Sequence, residues 1–191
     1  MFGVDLNVNV TTIDRYLNLP GVVYRDARMV FDPADWASMN ADPDLTTTVE
    51  GFSIVPYPYL ATLEAIPVAN AYAGDTLFTL TWEDEVDYAI ADARPNYEES
   101  RTILEELFPR DATILLMCGG GGYAYMTKKL LVFLGWDPDR IYNIGGNWYY
   151  QGDHAVRLIE RGGAADGSDI FALWRADIPT IDFSRLHPTR G

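Results

Sequence analysis

Along this chain the apolar positions change period several times, and the changes mark out alternating strands and helices. Pro20-Gly21 closes a short capped helix over Thr11–Leu17, and Val22-Val23-Tyr24-Arg25-Asp26-Ala27 then reads as a buried strand. Asp32-Pro33 supplies an N-cap and first position for a further helical turn, and residues 38–50 are polar and turn-rich. Phe52-Ser53-Ile54-Val55 forms a second short strand that stops at Pro56, which has no N–H to give to a ladder. Two β-rich runs, Leu77–Trp82 and Val86–Ile90, flank the acidic Glu83-Asp84-Glu85 and predict a surface hairpin inside an insertion over residues 64–95.

Asn96 with Glu99 three residues on is a capping-box pattern, opening a helix whose Tyr97, Ile103, Leu104 and Leu107 share a buried stripe before Pro109 ends it. Thr113-Ile114-Leu115-Leu116-Met117 is an unbroken apolar strand of the kind buried on both faces. A loop over residues 118–122 leads into a helix over Tyr123–Leu134, with Met126, Leu130, Leu131 and Leu134 on one face and Gly135 at its end. Arg140–Ile144 is a further strand running into Gly145-Gly146, and a last hairpin surrounds residues 162–167. Strands alternating with helices predict an α/β fold with a mostly parallel central sheet, helices on both faces and the inserted hairpin. At 191 residues the chain has the length of one domain, with the 64–95 insertion and a C-terminal extension over 152–191.

Charge changes the picture more than composition does. With 48% hydrophobic and 22% charged residues the chain is ordinary for a globular protein. Yet 14 basic against 28 acidic residues leave a net charge of −14, which repels nucleic-acid backbones and anionic membrane surfaces. The longest apolar runs, Ile114–Cys118 and Leu130–Trp136, fall far short of the roughly 18 residues that mark a membrane span. Met1-Phe2-Gly3-Val4-Asp5 has neither a basic patch nor an apolar h-region, so the expectation is a cytoplasmic chain, or an extracytoplasmic one whose signal segment has been removed. His154 and His187 have no second ligand at a metal-like spacing and read as surface or capping residues, and the acidic Asp166 and Asp169 lack the spacing of a calcium loop; no metal or cofactor is expected.

Cys118 is the only cysteine, so no internal disulfide forms, and the thiol is either a buried small hydrophobe or a reactive group. It falls where a buried parallel strand stops and a helix begins, at the sheet end where open α/β folds make their ligand crevices. Gly119, Gly120, Gly121 and Gly122 lack Cβ atoms, so the amides of residues 119–124 can curl toward a sulfur or an oxyanion. The dipole of the following helix contributes only about 0.3–1 kcal/mol, less than the about 1.4 kcal/mol of one pKa unit. Several converging amides are therefore needed to bring the thiol into the reactive range.

These residues resemble the active-site half of rhodanese domains. The resemblance rests on Ile114–Ala124 with its Cys-x-x-Gly loop at Cys118 and Gly121, the following helix, Gly135-Trp136, Ile141–Ile144, Gly145-Gly146 and Trp148, which falls one residue early for the family turn. Upstream, Asp26-Ala27-Arg28 is similar to the family's Asp-x-Arg, and the segment 51–56 to its Gly-His-Ile segment without the histidine. Residues 10–60 and 100–150 are covered.

The resemblance implies a sulfurtransferase: Cys118 takes a sulfane sulfur from a small donor, holds it as a persulfide among the amides of Gly119, Gly120, Gly121, Gly122, Tyr123 and Ala124, and passes it to a thiol or other thiophilic acceptor. Many active members carry cationic residues where this chain has Gly119 and Tyr123, which implies a persulfide or an uncharged polysulfide as donor in preference to thiosulfate. A non-catalytic module that binds an anion, a sulfur species or a protein partner is the alternative. Asp26 and Arg28 read as a structural ion pair, Lys128 and Lys129 as a solvated helix face, and Trp148 and Tyr149 as walls of the pocket mouth, beside Trp136 and Tyr150 in packing roles. A cysteine phosphatase needs Cys-x5-Arg, and position 124 is alanine. A dinucleotide fold needs an acidic residue after the next strand, and a P-loop needs glycine before its lysine; neither is present.

Overall fold

The computed structural model describes residues 2–28, 47–62, 75–84, 87–160, 162–168, 170–171 and 177–189. The expectation at Asp32-Pro33 and part of the 64–95 insertion lie outside them.

Four strands, β1 (Val22–Asp26), β3 (Ser53–Ile54), β6 (Thr113–Cys118) and β7 (Ile141–Gly146), form one sheet in the order β3-β1-β6-β7, parallel throughout. Only a sheet buried on both faces tolerates five buried residues in a row, as β6 has from Ile114 to Cys118. Side chains alternate across it. Ile114, Leu116 and Cys118 join one core with Ala27, Leu104, Ala124 and Leu130; Leu115 and Met117 join a second with Tyr24, Ile13, Phe52 and Ile144.

The first core is roofed by α1 (Tyr57–Leu60), α2 (Ser100–Leu107) and α3 (Gly122–Phe133), and by the hairpin of β4 (Phe78–Asp84) and β5 (Ala89–Pro95). The second is covered by the N-terminal segment, whose Ile13–Tyr16 form a 3-10 turn. Among the described residues the α-helices lie on one face, and the other face carries the N-terminal segment. Thr11–Leu17 is too short and polar to sustain more than that turn, and Thr12 spends its hydroxyl on the Asn7 carbonyl.

The inserted hairpin is no loose flap. Leu77, Phe78, Leu80 and Ala93 enter the first core, and Tyr88 packs edge-on to Tyr125 of α3 with ring centres 6.1 Å apart. Its second strand begins at Ala89, later than predicted, because Tyr88 takes a positive φ of 52° in the turn. The capping box at Asn96 does not form: the Asn96 amide bonds Thr76 and Thr79 in the hairpin region, while Glu99 turns to His187. Residues 47–49, expected as turn, are a strand instead: β2 (Thr47–Val49) pairs antiparallel with β8 (Ala155–Arg157). The last hairpin is present, as β9 (Ile159–Glu160) paired with β10 (Ile170–Phe171). Among the described residues no helix is long and apolar enough to cross a membrane.

Candidate active site

The loop after β6 gathers all the residues singled out around the cysteine. Cys118 ends the strand at 2% exposure, opposite Gly146 of β7. That register follows from a bulge: Leu116 faces Asn143 but Met117 faces Gly145, so Ile144 is the extra residue, and Gly145 absorbs the distortion with φ +101°. The two chains then run too close for side chains. A Cβ at Gly146 would overlap the Gly119 carbonyl oxygen and come within 2.7 Å of Gly120 Cα. Gly119 and Gly120 lie under the Trp148 indole, where a Cβ would be 2.9 and 3.0 Å from the ring, and the Trp148 amide donates to the Gly119 carbonyl at 3.2 Å.

Gly121 turns the chain with φ +97°, and its amide donates to Cys118 Sγ at 3.0 Å. Gly122 opens α3, and the amides of Tyr123 and Ala124 also donate to the sulfur. Three main-chain donors therefore converge on Sγ from the first turn of a twelve-residue helix.

Convergence does not bring the thiol below its ordinary range. Burial pushes the Cys118 thiol up from its ordinary value, the Asp26 charge pushes the same way, and the three amides oppose both. The cradle is built, and burial outweighs it in setting the thiol.

Asp26 is fully buried and paired with Arg28, whose Nε donates to its Oδ2 at 2.7 Å; Thr48 Oγ1 donates to the same oxygen at 3.1 Å. Arg28 also donates to the Thr47 carbonyl, which accepts from Asn147 Nδ2 as well, so the pair links the end of β1 to the 147–149 turn that carries Trp148. The structural role expected of this pair is what the contacts describe; its electrostatic effect on the thiol is an addition. Lys128 donates to the Ile141 carbonyl at 2.5 Å and Lys129 lies 5.1 Å over the Tyr125 ring, so these contacts direct both cations at other groups. Tyr149 is exposed, Trp136 is buried in the first core, and Tyr150 donates to Asp14. His154 and His187 pair with Glu50 and Glu99 at the surface, and no cluster able to hold a metal occurs among the described residues.

Two residues of the site were not singled out from sequence. Asn143, 1% exposed, donates from Nδ2 to the Gly121 and Phe2 carbonyls and accepts at Oδ1 from the Gly145 amide, bracing the left-handed glycine, the bulge and the N-terminal segment together. An asparagine inside the otherwise apolar Ile141–Ile144 run is the signal that could have found it, since buried amides are held by partners. Tyr57 stacks on Tyr123, ring centres 5.8 Å apart and planes at 24°. Burial pushes the Tyr123 phenol up to about 12. Compared with family models, curated proteins and solved structures, the chain finds no match.

Proposed function

We propose that this chain is a rhodanese-like sulfurtransferase in which Cys118 carries a sulfane sulfur as a persulfide. The observation that carries the reading is the convergence of the Gly121, Tyr123 and Ala124 amides on Sγ. In the first half-reaction the thiol gives its proton to water, and the thiolate attacks the outer sulfur of the donor. An Sγ–S bond forms, the donor's S–S bond breaks, and its electron pair leaves on a thiolate or, from thiosulfate, on sulfite. In the second, an acceptor thiolate attacks the sulfur held on Cys118, and Sγ departs with the electron pair. Sγ bears negative charge as nucleophile and again as leaving group, and fixed amide dipoles stabilise both without reorganising.

Amides, Asp26 and burial are the influences that set this thiol, with no cation among them. A dianionic donor would meet no countercharge from them, so an organic persulfide or an uncharged polysulfide is the better substrate.

The depth of the sulfur and its raised pKa favour a second reading, a module that binds a ligand without turnover. A transfer assay from an organic persulfide to a dithiol separates the two. Turnover well above that of free cysteine, lost in Cys118→Ser, is expected; wild-type protein no faster than Cys118→Ser overturns the enzyme and leaves the binding module.

A further inference from the structure

We propose that Tyr57 is a substrate-contacting residue of the Cys118 site, its buried phenolic O–H donating to an acceptor atom of the bound sulfane-sulfur donor. The inference rests on the sulfurtransferase reading and deepens it.

Backbone geometry brings Tyr57 to the loop. Its amide donates to the Ala27 carbonyl at 3.2 Å, and the Ala27 amide donates to the Met117 carbonyl at 2.7 Å. A single residue with only a methyl side chain therefore separates Tyr57 from the end of β6, and the Tyr57 ring spans to stack on Tyr123, whose own amide holds the sulfur. Tyr57 is 0% exposed, and its hydroxyl has no hydrogen-bond partner among the described residues.

Packing does not require that oxygen. Phe78 and Phe108, equally buried in the same core, are aromatic without one. A hydroxyl sealed from water and left unpaired is destabilising, and such groups in native proteins mark a strained or functional place. Tyr24, in the other core, shows the ordinary arrangement: its hydroxyl donates to the Tyr16 carbonyl at 2.6 Å and accepts from the Leu19 amide at 2.9 Å. Burial pushes the Tyr57 phenol up, so at ordinary pH it keeps its proton and has a hydrogen to donate.

A neutral donor against an aromatic wall suits an acceptor of low charge, such as the sulfur atoms of an organic persulfide. As the thiolate of Cys118 forms its bond to the outer sulfur, the inner sulfur gains the electron pair and the hydrogen bond from Tyr57 strengthens on it. No proton is transferred.

The test compares Tyr57→Phe with Tyr24→Phe in the full chain, reading the thermal midpoint and the rate at which an organic persulfide loads sulfur on Cys118, followed by intact mass. Tyr57→Phe is expected to melt no lower than wild type and to load about tenfold more slowly; Tyr24→Phe is expected to melt lower and to load at the wild-type rate. Tyr57→Phe loading as fast as wild type overturns the proposal, as does a fall in its midpoint matching that of Tyr24→Phe, which would show the hydroxyl to be structural. Folded wild-type protein that acquires no sulfur overturns the sulfurtransferase reading, and the proposal with it; the wild-type arm alone tells these outcomes apart.

Discussion

At the scale of single residues, Cys118 is set by two opposed effects of one location. The strand end that aims Sγ at three amides also buries it at 2% exposure beside the Asp26 charge, and burial prevails. Alkylation by iodoacetamide, which follows the thiolate, should therefore show a midpoint above the ordinary cysteine value of about 8.5; a midpoint below 7 would contradict this balance. Gly121→Ala extends the test. Its φ of +97° is closed to L residues and its Cβ would lie 3.3 Å from Gly145 Cα, so the substitution should cost about 1–3 kcal/mol of stability and raise the midpoint further by moving an amide off the sulfur.

Elements explain what the chain pattern did and did not reveal. The sulfur loop was legible because its strand, cysteine, glycines and helix are consecutive, and strand–loop–helix order fixes where they lie. Tyr57 and Asn143 reach the same loop only through the parallel pairings of β1 with β6 and of β6 with β7, which no local pattern encodes. The capping box failed for a related reason. Thr76 and Thr79 outcompete the helix for Asn96, and His187, 88 residues away, takes Glu99.

That last pair ties the C-terminal segment to the start of α2, where the Glu98 amide also donates to the His187 carbonyl. The Glu99 side-chain bond raises the His187 imidazole, so its contribution is complete below the unfolded-state value of about 6.5 and is lost as pH rises through the higher folded value. The His187 side-chain bond lowers Glu99, so that half is present above the ordinary glutamate value of about 4.3 and is lost as pH falls through the lower folded one. Amide protection factors of residues 177–189, which divide out the base-catalysed rise of intrinsic exchange, should therefore be highest between those limits and fall toward pH 8, a dependence that Glu99→Gln should flatten. The same pH response in the variant would refute this assignment.

Over the whole molecule, fold sets where the sulfur sits and charge sets what approaches it easily. The parallel sheet supplies a strand end for the sulfur, the Asp26–Arg28 pair fixes the neighbouring turns, and the hairpin packs Tyr88 on Tyr125 of α3. A net charge of −14 disfavours approach by dianions and leaves uncharged or weakly charged sulfur species the easier entrants. The most direct measurement is the intact mass of the protein after incubation with an organic persulfide. The account predicts a gain of one sulfur atom, removed by a thiol acceptor and absent from Cys118→Ser; an unchanged mass for folded wild-type protein, or the same gain in the serine variant, would contradict it.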